Sequence, residues 1–202
     1  MSTLKVSFRK LGDLEFECYE NAIRLHLDSV LLLRARSFPS AFALSVIASE
    51  EFGKGFAIEE IIYQARFQKG FNDRDKEYLR ALLSNHKLKQ RWFVNHAFDS
   101  PRSKRLIKKY QSIQNDKNNA LYVGLRRGNH HIVGPFSVSK SKALDQVQTI
   151  NDALIRLMEG TLSGDFGFEE VFDHVLRQRR ILKKLKMAAV ALKSMHDKPA
   201  RT

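Results

Sequence analysis

The sequence predicts an all-α protein. Apolar side chains recur every three or four residues along most of the chain, which is the spacing of one helix face. Capping residues and glycines stand where these segments begin and end, as at "SFPS" and at Gly70. Only the runs within "ALYVGLRRGNHHIVG" favour extended structure. We therefore expect a helical bundle with a small hairpin or irregular insertion around residues 120–135.

The helical segments can be placed from their caps and periodicity. In chain order they span about residues 14–36, 39–67, 72–97, 102–115, 139–160 and 169–196. The expected N-caps are Asp13, Ser37, Asn72 or Asp73, and Ser137 or Ser139. The third segment is predicted as one helix that runs to Ala97, and "DSPRS" ends it.

Length and composition are those of an ordinary globular protein. A chain of 202 residues with 43% hydrophobic residues is long enough for one well-filled core. We expect a single domain over residues 1–202, with its core at about 14–160 and a basic C-terminal helix at about 169–196. The lone cysteine, Cys18, cannot form an internal disulfide. With no basic-then-apolar leader and no apolar run near the roughly 20 residues that span a bilayer, the chain is expected to be cytoplasmic and free of membrane segments.

The formal net charge of +13 predicts attraction to a polyanion such as RNA. Two acid-free segments, "RSKRLIKK" and "RQRRILKKLK", concentrate the positive charge in the C-terminal half. The candidate RNA-binding residues are Lys87, Arg102, Lys104, Arg105, Lys108, Lys109, Arg177, Arg179, Arg180, Lys183 and Lys184. The alternative interpretation is that these basic segments are only solvated helix faces.

Charged residues interrupt the apolar stripes of two predicted helices. Glu51 and Lys54 fall on the core-facing line of the second helix, and His86 and Lys89 fall on that of the third. An unpaired buried charge costs several kcal/mol, so these residues must meet partners or line a wet cleft. Antiparallel packing would gather all four into one polar pocket. The alternative is a pair within one helix, Glu51 with Lys54 at i,i+3 or Glu50 with Lys54 at i,i+4.

Several elements occur together in an order that is typical of one family. These are "ENAIRLHLDSVLLL", "PSAFALSVIASEEFGKG", "NHKLK" and "NNALYVGL", followed by a turn at Pro135 and a helix that starts "SKSKALDQV". The chain resembles the AbiV-type abortive-infection family of the HEPN superfamily over about residues 15–160. The Glu-Glu-x-Gly-Lys and His-Lys-x-Lys elements carry most of the resemblance.

The resemblance implies a HEPN-like helical bundle that pairs as a homodimer and halts the growth of a phage-infected cell. Many relatives in the superfamily are metal-independent ribonucleases, with an Arg and, four to six residues later, a His at the dimer cleft. In such a site the His transfers protons and the Arg stabilises phosphate charge. This spacing is met, at a frequency close to chance, by Arg80 with His86, Arg91 with His96, and Arg126 with His131.

The pair of Arg80 with His86 ranks first because His86 belongs to the recognised element. On one straight helix these side chains point about 120° apart, so they converge only if the helix bends or a second subunit completes the site. We expect His86 to transfer protons, Arg80 or Lys89 to stabilise phosphate, and Glu51 with Lys54 to orient His86. The expected supporting polar network is Asn21, Arg24, Asp28 and Glu50.

A second hypothesis is a non-catalytic module that binds RNA, ribosomes or an acidic phage protein through its basic face. In that case the polar cluster is a structural network. Under either hypothesis, a phage protein is the expected trigger or inhibitor. Trp92 could stack on a base or pack in the core. No metal or other cofactor is expected, because the sequence has no metal-spaced cluster and no Gly-rich phosphate loop.

Overall fold

Long helices account for most of this computed structural model, which describes residues 6–97, 113–125, 131–162 and 172–196. The helices are α1 (Phe8–Arg34), α2 (Phe38–Phe67), α3 (Asp73–Ser84), α4 (His86–Ala97), α5 (described over 113–121), α6 (Lys140–Leu162) and α7 (Phe172–His196). The all-α prediction is confirmed, and no helix in these ranges has an apolar stretch that could cross a bilayer.

The predicted insertion is a short antiparallel pair. Strand β1 (Gly124–Leu125) pairs with β2 (Ile132–Val133), so that Gly124 lies opposite Val133. A single 3₁₀ turn, Pro135–Ser137, connects β2 to the start of α6. The hydroxyl of Ser139 accepts a hydrogen bond from the Lys142 amide at 3.2 Å, which makes Ser139 the N-cap of α6.

Two predicted helix boundaries are wrong. Helix α1 begins at Phe8 instead of Leu14, because Ser7 accepts a hydrogen bond from the Lys10 amide and caps the helix one and a half turns earlier than Asp13 would. The predicted third helix is divided at Asn85, whose extended backbone ends α3. The Asn85 side chain then accepts from the Leu88 amide at 3.1 Å and starts α4.

The chain forms two compact units. The first contains Met1–Arg24 and Ile47–Asn115, and the second contains Leu25–Val46 and Asp116–Thr202. Both α1 and α2 contribute to each unit. The expectation of one domain over the whole chain stays a prediction.

The second unit buries a polar pair in its core. The side chains of His26 on α1 and Asn151 on α6 are fully buried, with 2.9 Å between His26 Nε2 and Asn151 Oδ1. His26 Nδ1 has no hydrogen-bond partner among the described residues. Burial lowers the pKa of His26 to about 4, although its bond with Asn151 acts in the opposite direction. His26 is therefore neutral at physiological pH.

This buried histidine predicts a loss of stability in acid. The unfolded chain takes up a proton on His26 below about pH 6.5, whereas the folded chain does so only near the lowered pKa of about 4. The stability contributed by neutral His26 is present above pH 6.5 and is lost as pH falls toward 4. Between pH 7 and pH 5 this linkage amounts to about 2 kcal/mol.

We expect His26→Gln, which keeps a hydrogen-bonding group for Asn151, to lose less stability in acid than the wild type. The measurement is urea unfolding of both proteins at pH 7 and pH 5. The pH-dependent change in unfolding free energy should be about 2 kcal/mol smaller in the variant. Equal changes in the two proteins would show that His26 does not titrate differently on folding.

Candidate active site

A buried carboxylate on α2 holds a half-exposed histidine on α4. Glu50 Oε2 lies 2.7 Å from His86 Nδ1, and the Glu50 side chain is 4% exposed whereas that of His86 is 51% exposed. A carboxylate can only accept, so the contact places a proton on Nδ1. The second ring nitrogen, Nε2, is then the one that can take a proton from a substrate.

Gln90 fixes the orientation of the Glu50 carboxylate, and Gln114 contacts Gln90 in turn. Gln90, which is 2% exposed, donates from Nε2 to Glu50 Oε1 at 2.7 Å. The same amide donates to Gln114 Oε1 at 3.2 Å, which connects the pair to α5. Both oxygens of Glu50 are therefore hydrogen-bonded, one to His86 and one to Gln90. A buried carboxylate with both oxygens bound is held rigidly.

Gly53 allows α2 to approach α4 closely enough for this contact. A Cβ at Gly53 would lie 2.0 Å from the Lys89 carbonyl oxygen and 2.8 Å from the Phe93 amide nitrogen. Both neighbours are backbone atoms of α4, so no side-chain rotation could relieve the overlap. The glycine of the Glu-Glu-x-Gly-Lys element thus sets the distance at which Glu50 reaches His86.

Gly55 allows α2 to approach α1 closely. A Cβ there would lie 2.5 Å from the ring of Tyr19. That ring packs at a centroid distance of 4.9 Å from Phe52, and its hydroxyl donates to Glu59 at 3.0 Å. The two glycines of "EEFGKG" therefore serve two different helix contacts of α2.

Glu51 and Lys54 form a separate pair on a different side of α2. Lys54 Nζ lies 2.8 Å from both oxygens of Glu51, as in the alternative prediction of an i,i+3 pair. Glu51 Oε2 also accepts from Asn21 Nδ2 at 3.1 Å. The prediction that this pair orients His86 is wrong, because the carboxylate that contacts His86 is Glu50. Consecutive helical residues point about 100° apart, so one carboxylate faces α4 and the next faces α1.

The pair around Lys54 is an ion pair without an activated nucleophile. Burial lowers the pKa of Lys54, but its hydrogen bonds and charge interactions with Glu51 and Cys18 together outweigh burial, and the net pKa is raised. Cys18 lies beside Lys54, and burial raises the pKa of its thiol to about 11. Both groups therefore stay protonated at physiological pH, which excludes the Cys18 thiolate as a nucleophile.

Part of the predicted supporting network is present in the first unit. Asn21 Oδ1 accepts from Arg24 Nη2 at 2.8 Å while Asn21 contacts Glu51. Asp28 lies further along α1, in the second unit, and is half-buried. Glu50, expected only as a supporting residue, is the direct partner of His86.

The predicted phosphate-contacting residues lie on both sides of the break at Asn85. Arg80 is exposed on α3, six residues before His86 in the sequence. Lys87 is exposed directly after His86, and Lys89 is 7% exposed at the position one turn further along α4. Convergence of Arg80 and His86 requires either a bend between them or a second subunit. The break at Asn85 supplies a bend, because the two residues no longer share one straight helix.

The other Arg–His pairs are described only in part. The His96 side chain and the whole of Arg126 lie outside the described residues, whereas Arg91 and His131 are exposed. Within the described ranges, no group of three histidine, cysteine or acidic side chains is arranged to hold a metal ion.

Helix α7 presents part of the predicted basic surface. Arg179, Arg180, Lys183 and Lys184 are exposed. The Arg177 side chain lies outside the described residues, as do Arg102, Lys104, Arg105, Lys108 and Lys109. On the opposite side of α7, Leu185 and Leu192 are fully buried.

Gln90 and Gln114 are the site residues that sequence reasoning did not identify. Gln90 is four residues after His86 and therefore on the same face of α4, a signal that helical spacing offers. Gln114 belongs to a segment distant in sequence, and no spacing rule connects it to Glu50.

The comparison with protein families identifies this architecture. No curated protein and no solved structure gives a significant match to the chain. The family model of AbiV, a HEPN-type domain, matches residues 11–156, which include all of α2, α3 and α4. This range agrees with the resemblance found from the sequence elements, and the chain belongs to the AbiV family.

Proposed function

We propose that this AbiV-family protein acts in phage defence, in the cytoplasm of the infected cell, as a metal-independent ribonuclease. The observation that carries the proposal is the contact between buried Glu50 and half-exposed His86. A histidine whose tautomer is fixed by a buried carboxylate is suited to general acid–base catalysis. The net charge of +13 favours a phosphate-rich substrate.

The reaction that fits this pair is transesterification within RNA. His86 Nε2 accepts the proton of a ribose 2′-hydroxyl, and the 2′-oxygen attacks the adjacent phosphorus. The bond from phosphorus to the 5′-oxygen breaks, and the leaving oxygen takes a proton from an acid group. The products are a 2′,3′-cyclic phosphate and a 5′-hydroxyl end. Arg80, which is exposed whereas Lys89 is buried, stabilises the phosphate charge, and Lys87 contacts the neighbouring backbone.

A second copy of the chain is part of this proposal. One His86 can accept the first proton, but the leaving oxygen needs a separate acid in the same turnover. A homodimer that brings two His86 side chains to one cleft would supply both groups. A phage protein is the proposed trigger or inhibitor, since growth arrest must be confined to infected cells.

The exposed cations of α7 support a second candidate function, which is growth arrest by binding alone. Arg179, Arg180, Lys183 and Lys184 give this helix a positive outer surface that suits RNA or ribosomes. In that case His86 is structural, and catalysis plays no part.

Infection of cells that express variants tests the proposal. We expect His86→Ala, at wild-type abundance, to lose protection against phage and the associated RNA degradation, because general acid–base groups contribute about 10²–10⁴-fold to rate. Substitution of the four α7 cations by Glu should weaken protection only partly. Full protection by His86→Ala, together with its loss in the charge-reversed protein, would support the binding function instead.

A further inference from the structure

A groove of about 330 Å³ lies between α2, α3 and α4 in the first unit. Its floor is formed by Ala57 and Ile61, which are buried in the apolar core. Trp92 is six residues after His86 and so points about 120° away from it around α4. The groove is therefore separate from the Glu50–His86 pair. Its volume is at the small end of ligand sites, which suits a nucleoside-sized molecule.

The wall of the groove is a fixed pair of aromatic rings. Trp92 and Tyr78 are both half-buried, and the Trp92 indole N–H donates to the Tyr78 hydroxyl. This hydrogen bond joins α3 to α4 and fixes the positions of the two rings. A fixed aromatic surface beside an apolar floor is suited to stacking a flat heterocycle.

The rim supplies acceptors for one edge of such a ring. Glu60 is half-buried and accepts from Gln64 at 2.7 Å, and its carboxylate retains further acceptor lone pairs. Asp75 also lines the groove, but one of its oxygens accepts from the Asn72 amide in the capping box of α3. Each acid has one oxygen already bonded, but the partner of Glu60 is the exposed side chain of Gln64, which can rotate away, whereas Asp75 is bonded to a backbone amide in the helix cap. Glu60 is therefore the better placed acceptor for a ligand.

A guanine base matches this combination of groups. Its Watson–Crick edge carries two adjacent N–H donors, which fit the two oxygens of one carboxylate, whereas adenine, cytosine and uracil each lack that pair. Arg74 lies at the exposed rim, where a guanidinium suits the phosphate of the same nucleotide. We propose that this groove binds guanine, stacked on the Trp92–Tyr78 wall and hydrogen-bonded to Glu60.

Binding can be followed directly because Trp92 is the one tryptophan of the chain. Purified full-length protein is titrated with GMP, guanosine, AMP, CMP and UMP while its tryptophan fluorescence is recorded. We expect a saturable change with GMP, and an affinity for GMP at least about tenfold higher than for the other three nucleotides. Arg74→Ala should weaken GMP more than guanosine, because only GMP carries a phosphate.

Glu60→Gln and Glu77→Gln form a matched pair for this test. Glu60→Gln replaces one of the two acceptor oxygens by an NH₂ donor and should weaken GMP binding about tenfold or more. Glu77 is exposed on α3 and does not line the groove, so Glu77→Gln should bind GMP like the wild type. Circular dichroism would establish that both variants are folded.

The guanine could belong to a free nucleotide or to RNA. A short single-stranded RNA with one guanine, and the same RNA with adenine in its place, distinguish the two sources. Tighter Glu60-dependent binding of the guanine RNA than of GMP assigns the groove to RNA, and equal binding assigns it to the free nucleotide. Both results support the proposal.

The proposal is overturned if no guanine ligand gives a saturable change at millimolar concentration. It is also overturned if CMP and GMP bind equally, or if Glu60→Gln keeps wild-type affinity. The inference goes beyond the proposed ribonuclease activity, and the binding measurement requires no cleavage. A failed titration would therefore not contradict the proposed ribonuclease activity, and an absence of cleavage would not contradict guanine binding in the groove.

Discussion

Substitution of Gly53 by Ala is expected to destabilise the protein by about 3 kcal/mol or more. The added Cβ would stand 2.0 Å from the Lys89 carbonyl oxygen, so α2 and α4 would have to separate. That separation opens packing around Phe93, which is fully buried. A loss of this size is a large part of the 5–15 kcal/mol that stabilises a typical domain. Urea unfolding followed by circular dichroism measures it.

Gly12 offers the matched control. It lies inside α1, and a Cβ there would meet no atom within 4 Å. Gly12→Ala should therefore raise the unfolding free energy by about 0.5–1 kcal/mol, because alanine loses less backbone entropy in a helix than glycine does. If Gly53→Ala were as stable as wild type, the close α2–α4 contact would not exist as described.

The second large effect is expected from Glu50→Gln in the proposed ribonuclease. The variant removes the negative charge next to His86 and replaces one of the two acceptor oxygens by an amide donor, so either His86 or Gln90 loses the acceptor that it requires. We expect RNA cleavage to fall by about 10²-fold as His86 loses its fixed tautomer and orientation. The loss of these buried hydrogen bonds should cost about 1–3 kcal/mol of stability.

Glu51→Gln is the control that separates the loss of the Glu50–His86 contact from the mere loss of one negative charge on α2. Glu51 is the adjacent carboxylate, and it contacts Lys54 and Asn21. At equal folded fraction, Glu51→Gln should retain cleavage within a few-fold of wild type. An equal loss of cleavage in the two variants would contradict the assignment of Glu50 as the positioning residue of His86.

The helices were predictable from the sequence, and so were the charged residues on their apolar faces, because both depend on local spacing. Periodicity located α2 and drew attention to its acidic residues, and capping chemistry identified Asn72, which forms the predicted cap of α3. The break at Asn85 was missed because the apolar spacing continues on either side of it. One asparagine that is able to accept from the Leu88 amide was enough to divide the helix.

The identity of the histidine's partner could not be read from spacing. Glu50 and Glu51 differ by only one residue in their distance from His86 along the sequence, and a rotation of about 100° decides which of them faces α4. That rotation is set by backbone contact at Gly53, which pattern analysis treats only as a weak helix former. The link from Gln90 to Gln114 likewise depends on where α5 packs, a tertiary fact without a local signature.

Cleavage of total cellular RNA by the purified protein in the presence of a chelator is the most direct test of the central claim. The comparison is between the wild type and a His86→Ala protein that is shown to be folded and to have the same oligomeric state. Cleavage by the wild type with 2′,3′-cyclic phosphate ends, and none by His86→Ala, is the predicted result. Equal cleavage by both proteins, or RNA left intact by wild type even with an infected-cell extract supplying the trigger, would contradict a catalytic Glu50–His86 pair.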